Sequence, residues 1–188
     1  MRTLWLLPLI LLVVACSTPV TVDYDDTVDF AGLRTFAPLP PPPTETGDPR
    51  IDNPLLVKRI QAALREVLQA RGYREVTENP DFYVSFQLGL KQGVESSGGV
   101  TFGFGTYGGH GGIGMAYGYP GYDVSTYEEG ILTVDILRGA DKTLIWRGTA
   151  SKRLSESGSK SPEEARREIH EIVRTILDRF PPGRPASR

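Results

Sequence analysis

The spacing of apolar residues predicts an amphipathic helix over residues 53–71. Its apolar positions are Leu56, Val57, Ile60, Ala63, Leu64, Val67 and Leu68. These positions fall on one stripe of a helix, which leaves the opposite face polar. Asn53 and Pro54 are residue types that start helices, and Gly72 stands where a left-handed C-terminal cap belongs.

A second stripe of the same kind predicts a helix near the end of the chain. The sequence Ser161-Pro162-Glu163-Glu164 supplies an N-cap, a first-turn proline and a capping-box glutamate. The apolar positions that follow are Ala165, Ile169, Ile172, Val173, Ile176, Leu177 and Phe180. We expect this helix to end before Pro181-Pro182, because proline cannot continue a helix.

Runs rich in residues that favour β structure, most with alternating polarity, predict strands elsewhere. The strand-like stretches are 20–24, 33–37, 82–90, 127–138 and 142–154. The last two flank Gly139-Ala140-Asp141 and predict a β-hairpin. Its inward positions are Leu132, Val134 and Ile136 on one strand, and Leu144 and Trp146 on the other. The sequence therefore predicts an α+β fold: a two-layer sandwich with a mostly antiparallel sheet and two amphipathic helices on one face.

The first residues have the pattern of a bacterial lipoprotein signal. Residues 1–15 combine a basic start with an apolar run that is shorter than the roughly 20 residues needed to span a bilayer. Cys16, the only cysteine, follows at once, and Val13-Val14-Ala15-Cys16 resembles a lipobox. We expect acylation of Cys16, an anchor over residues 16–19 and attachment to a lipid bilayer. Ser17 favours the periplasmic face of the outer membrane, because lipoproteins of this kind are kept at the inner membrane by aspartate there.

Proline dominates residues 38–54, so we expect a stiff surface spacer there instead of a regular element. The alternative is a ligand for aromatic-lined grooves. The predicted domain covers residues 20–182, and we expect residues 183–188 to be a disordered tail.

Residues 93–122 differ in composition from the rest of the chain and contain 12 of the 21 glycines. We expect a mobile loop between two strands, because glycine loses much entropy on ordering and few aliphatic residues offset that loss. The interleaved aromatic residues are candidate contacts for a protein or glycan partner, and they are Phe102, Phe104, Tyr107, Tyr117, Tyr119 and Tyr122. The alternative is a surface insertion with no binding role.

Composition excludes several classes of function. A net charge of −2 provides no basic field for nucleic acid. The 2 histidines stand far apart, so we expect no metal site, and no motif indicates a cofactor. Gly103 to Gly108 matches a dinucleotide fingerprint, yet the glycines that follow cannot continue as the helix that this motif needs. No catalytic set is recognisable, and we expect Glu128 to meet solvent or a basic residue such as Arg147.

Several segments together resemble the DUF4136 family of bacterial lipoproteins. Besides the lipobox cysteine, they are Val28-Asp29-Phe30, Arg34-Thr35-Phe36, 68–73, 80–84, 127–132, 144–148 and Phe180-Pro181-Pro182. The sequence has Pro80-Asp81 where this family commonly has Ala-Asp. The resemblance covers nearly the whole mature chain and implies an envelope lipoprotein with an α+β domain, without an assigned activity.

We therefore expect a non-enzymatic lipoprotein that faces the periplasm and acts as a binding or structural component of the cell envelope. One alternative is an envelope hydrolase with dispersed active residues, for which Asp81 and Glu128 are the residues to test. Another is a structural or stress lipoprotein that associates with itself through the glycine-rich segment.

Overall fold

The computed structural model describes residues 19–43, 45–96, 99–101, 124–154 and 161–183. The strands are β1 (Val20–Tyr24), β2 (Thr35–Pro38), β3 (Arg74–Glu75), β4 (Phe82–Ser96), β5 (Gly99–Thr101), β6 (Val124–Arg138) and β7 (Leu144–Arg153). The helices are α1 (Pro54–Ala70) and α2 (Pro162–Leu177), and a short 3-10 turn covers Phe30–Gly32. None of the helices in these ranges is both long and apolar enough to cross a bilayer.

The α+β class is confirmed, with a mixed sheet. The strand order is β1-β7-β6-β4-β2-β3, and β5 pairs with β4. β2 runs parallel to β3 and β4, whereas β1–β7, β6–β7, β4–β6 and β4–β5 are antiparallel. The parallel pairs follow from the connection through α1, because a chain that leaves β2, forms a helix and returns beside it runs in the same direction.

The predicted helix ends are confirmed. The Asn53 side chain accepts a hydrogen bond from the Leu55 N–H at 2.9 Å, and Gly72 has a φ of 90° just after α1. Ser161 and Glu164 form the reciprocal capping box at the start of α2. These local contacts satisfy backbone groups that a helix end otherwise leaves without partners.

One face of the sheet and the apolar stripes of both helices share one hydrophobic core. Its largest fully buried side chains are Trp146, Phe36, Phe82, Phe86 and Phe180. The ring of Phe180 lies 5.3 Å from that of Trp146 and 5.6 Å from that of Phe82. The residue after α2 therefore completes the core, which explains why the helical stripe continues to Phe180.

The prediction that Leu144 faces inward beside Trp146 is wrong. Leu144 is 41% exposed, whereas Ile145 and Trp146 are both buried. Ile136 pairs with Trp146, but Leu137 pairs with Leu144, so β7 has one extra residue at this point. A bulge of this kind interrupts strict alternation and turns two consecutive side chains away from solvent.

The proline-rich segment lies inside the domain, between β2 and α1. Near its start, the Leu39 N–H donates to the Val84 carbonyl at 2.8 Å. Near its end, Ile51 is only 4% exposed and Asp52 accepts from Thr46 and Gly47. The two ends of this segment are thus part of the folded unit.

The paired strands β4 and β6 extend beyond the rest of the sheet. The last pair between β6 and β7 is Glu129 with Arg153, whereas β4–β6 pairing continues to Ser96 with Val124. We call residues 92–96 and 124–128 the arm. The prediction that a loop begins at residue 93 is therefore wrong for residues 93–96 and 99–101. These residues form strands, because they continue the backbone pairing of β4 with β6 and with β5.

Candidate functional site

A cleft of about 580 Å³ lies between the sheet and the N-terminal halves of both helices. This volume is within the usual range of small-molecule sites. The apolar residues that line it are Ile51, Leu56, Ile60, Leu88, Ile131, Leu132, Leu154, Ala165, Ile169 and Ile172. A site with walls of this kind accommodates an apolar group and holds it by excluding water.

Small residues contribute to the open space. Gly130 lines the cleft from β6, and a Cβ atom there would lie 3.1 Å from Leu154 and 3.3 Å from Ile51. Ala165 lines it from the first turns of α2. Larger side chains at these two positions would occupy the cleft or displace its walls.

Four cationic side chains line the mouth: Arg50, Arg59, Lys152 and Arg153. Glu168 is the acidic residue among the described lining residues, and it forms an ion pair with Lys152. The Arg153 guanidinium lies over the Tyr127 ring, 3.9 Å from its centroid. The cleft thus combines an apolar interior with a mainly basic mouth.

Arg50 is held in place by two carboxylates. Its guanidinium donates to Asp48 at 3.0 Å and 3.1 Å and also contacts Glu128. The hydrogen bond to Asp48, and then that to Glu128, raises the pKa of Arg50 above its ordinary value. The same hydrogen bond from Arg50 lowers the pKa of Asp48. The charge of Arg50 is therefore largely neutralised by protein groups.

Arg59 has a different environment. It lies on α1 at the cleft mouth, is partly buried, and has no hydrogen bond or ion pair with any residue in the described ranges. A guanidinium has five N–H donors in a planar arrangement that matches carboxylate and phosphate oxygens. Arg59 is thus the cation of the mouth with the most capacity for a bound anion.

Glu128 meets a basic residue, as expected, but that residue is Arg50 and not Arg147, the example expected from the sequence. Arg147 instead pairs with Asp135, which is only 5% exposed, through contacts of 2.6 Å and 2.8 Å. Gln87 adds a hydrogen bond of 3.1 Å to the same carboxylate. Because Trp146 faces the core, its neighbour Arg147 faces the other side of the sheet, away from the helices. The hydrogen bond with Asp135 raises the pKa of Arg147.

Asp81 and Glu128 are not brought together. Asp81 immediately precedes Phe82, the first residue of β4, whereas Glu128 pairs with Gln92, ten residues further along the same strand. Ten residues of a strand span about 33 Å. The Asp81 carboxylate accepts hydrogen bonds from the N–H groups of Arg34 and Thr35 and from the Thr35 hydroxyl, at 2.8–2.9 Å. These bonds, led by that of the Thr35 side chain, hold the pKa of Asp81 below its ordinary value. Asp81 thereby fixes β2 to the start of β4.

The predicted lipidation and partner-binding residues lie outside the described part of the chain. They are Cys16, Phe102, Phe104, Tyr107, Tyr117, Tyr119 and Tyr122. Within the described ranges, no group of three or more His, Cys, Asp or Glu side chains is arranged to hold a metal ion.

One solved structure matches the chain with a TM-score above 0.5, and two others match with lower scores. A PDZ domain protein from Parabacteroides distasonis ATCC 8503 matches with a TM-score of 0.51 and 14% identity, over 90% of this chain and 36% of that chain. The chain thus spans about a third of the length of that protein. A PelC dodecamer from Paraburkholderia phytofirmans matches with a TM-score of 0.43 and 12% identity, over 85% of this chain and 94% of that one. A minor lipoprotein from Acinetobacter baumannii matches with a TM-score of 0.41 and 12% identity, over 79% and 92%.

No curated protein matches the sequence. A family model described as a domain of unknown function does match, over residues 20–182. This range runs from the first residue of β1 to just past the core residue Phe180, so it includes every element of the sheet and both helices. The chain therefore belongs to the DUF4136 family.

Proposed function

We propose that this protein is a lipid-anchored lipoprotein of the cell envelope whose domain binds another envelope component without catalysing a reaction. The cleft is the observation that carries the proposal. It is large enough for a ligand, its walls are apolar and its mouth is basic. In contrast, Asp81 and Glu128, the acidic residues considered for hydrolysis, lie about 33 Å apart along the sheet.

The anchor in this proposal is the acylated Cys16, and the location is the periplasmic face of the outer membrane. The lipobox-like sequence before Cys16 and the serine after it support this location. Replacing Cys16 with alanine should abolish incorporation of an alkyne-labelled palmitate and release the protein from membranes. Retention of label by Cys16→Ala would contradict acylation at this residue.

Binding in the cleft is tested by photo-crosslinking in intact cells. A benzophenone amino acid replaces Leu56, which lines the cleft, or its neighbour Leu55, which is 56% exposed, in the full-length chain. We expect a discrete crosslinked product from position 56 that is absent from position 55, with mass spectrometry identifying what is attached. Equal products from both positions, or none from either, would contradict a ligand in the cleft.

The aromatic residues between 102 and 122 are a second proposed contact, for a protein or glycan partner. Because β4 continues to Ser96 and β5 ends at Thr101, a deletion that preserves the arm removes residues 102–122 only. Replacing all six aromatic residues with serine is the milder test. We expect chemical crosslinking in cells to lose a specific partner in both variants. An unchanged set of partners would show that these residues do not bind.

A further inference from the structure

We infer that the cleft binds an acyl chain of an anionic phospholipid from the membrane that carries the anchor, with Arg59 contacting the phosphate. This inference rests on the proposed function and names the ligand class of the same cleft. It is drawn from the position of the cleft relative to the anchor, from its apolar walls and from the state of Arg59.

The register of the sheet places the start of β1 and the cleft at the same end of the domain. Val20, the first residue of β1, pairs with Ala150, and Ala150 pairs with Leu132. Leu132 pairs in turn with Leu88, and both leucines line the cleft. The start of the described domain is therefore level with the floor of the cleft.

The tether to the membrane is short. Four residue steps separate Cys16 from Val20, which span at most about 14 Å when fully extended. An acylated Cys16 therefore holds this end of the domain within reach of lipid headgroups. The arm extends from the same end, because Ser96 lies eight residues beyond Leu88, or about 26 Å along the strand. Because this length exceeds that of the tether, the arm lies along the bilayer surface or enters it in this arrangement.

The chemistry of the cleft matches an amphiphile at that position. An acyl chain placed between Leu56, Ile169 and Leu132 would bury apolar surface on all sides, and this burial would stabilise the complex by excluding water. A phosphate at the mouth would give the partly buried Arg59 the anionic partner that it does not have among the described residues. Arg50 and Lys152 are already paired with carboxylates, so we assign the anion contact to Arg59.

The test uses the mature acylated protein reconstituted in phosphatidylcholine vesicles. The vesicles contain a trace of a photoreactive lipid that carries a diazirine at the end of one acyl chain. This probe is phosphatidylglycerol in one sample and phosphatidylcholine in the other, and the protein residues that it labels are mapped after irradiation. We expect phosphatidylglycerol to label cleft residues such as Leu56 and Ile169, several-fold more than phosphatidylcholine does. Arg59→Gln should reduce the phosphatidylglycerol label about tenfold, the typical effect of losing a hydrogen bond to a charged group.

Lys58→Gln is the matched control for charge, because Lys58 is an exposed cation on the same helix and should leave labelling unchanged. Ala165→Trp should remove labelling by filling the cleft, whereas Arg166→Trp, at an exposed neighbouring position, should not. Circular dichroism melting checks that each variant is folded.

Three outcomes would overturn the inference. Label on exposed Leu55 equal to that on Leu56 would indicate random contact with lipid. Equal loss of label in Arg59→Gln and Lys58→Gln would indicate general charge attraction. Absence of lipid label from the cleft would refute the lipid, and a protein crosslinked to position 56 in cells would then leave the proposed binding function intact.

Discussion

Val20 pairs with Ala150 at the end of the sheet where the cleft opens. Both helices also begin at that end, because Leu56 and Ala165 in their first turns line the cleft. Their C-terminal ends meet at the other end, where Arg71 contacts Asp178. The domain thus has two different ends, with the start of β1 and the cleft at one, and the joined C-terminal ends of the two helices at the other.

The bulge in β7 predicts opposite outcomes for two large apolar residues only two positions apart. Trp146→Ala should lower the free energy of unfolding by about 3–5 kcal/mol, because it leaves a cavity in the core. Leu144→Ala should change it by less than about 0.5 kcal/mol, because this side chain is exposed. Urea denaturation measures both. A large decrease in the free energy of unfolding for Leu144→Ala would indicate that Leu144 faces the core, as strict alternation predicts, and would contradict the bulge.

Gly148 should not tolerate a methyl group. A Cβ atom there would lie 2.4 Å from the Trp146 ring and 2.7 Å from Ile176, so Gly148→Ala should cost about 1–3 kcal/mol of stability. Gly89 is the matched control, since its nearest neighbour would be Ile131 at 3.7 Å. Thermal melting should show a clear decrease for Gly148→Ala and little change for Gly89→Ala. Equal effects would mean that Trp146 does not pack over Gly148.

The low pKa of Asp81 makes part of the stability dependent on pH. A carboxyl whose pKa is lower in the folded chain stabilises the fold above its unfolded-state pKa of about 4, and this contribution is lost as pH falls through the folded-state value. Asp81→Asn should therefore lower the free energy of unfolding by about 1 kcal/mol at pH 7 and by progressively less below pH 4. The effect at pH 7 is modest because Asp81 is exposed to solvent. Asp26→Asn, an exposed control, should have little effect at either pH. A cost for Asp81→Asn that is constant from pH 7 to pH 3 would contradict this assignment.

Arg71 joins the C-terminal ends of the two helices. Its guanidinium contacts the Leu177 carbonyl, donates to the carbonyls of Phe180 and Arg174 at 3.2 Å and 3.3 Å, and pairs with Asp178. Arg71→Ala should lower stability by about 2 kcal/mol, because these carbonyls lose charged donors. Chemical denaturation measures this loss against that of the control Arg74→Ala. Arg74 is exposed, so we expect its replacement to change stability by less than about 0.5 kcal/mol. Similar losses in both variants would contradict this role.

Local patterns in the sequence predicted the helices and most of the strands. The caps at Asn53 and Ser161 depend on residues within three positions, so sequence alone reveals them. The two-residue strand β3 was missed, because Arg74–Glu75 is too short to show alternation. The parallel pairing of β2 and the bulge before Trp146 depend on contacts with distant segments, and therefore only the structure shows them.

The cleft was not predicted, because its walls have the sequence pattern of core residues. Leu56 and Ile169 lie on helical stripes that predict burial, and nothing local indicates that a gap remains between them. The available signals were the small residues Gly130 and Ala165, whose effect depends on what packs opposite. Arg59 has the pattern of an ordinary solvated charge on a helix, and only its position at the mouth distinguishes it.

The orientation of the cleft toward the bilayer is the central claim, and energy transfer in vesicles tests it most directly. The mature acylated protein carries a donor dye at Glu163→Cys or Arg179→Cys, near opposite ends of α2, whose 16 residues span about 24 Å. Acceptor dyes are attached to lipid headgroups. We predict much stronger transfer from position 163, at the end of the cleft, than from position 179. Equal transfer, or stronger transfer from position 179, would contradict a cleft that faces the membrane.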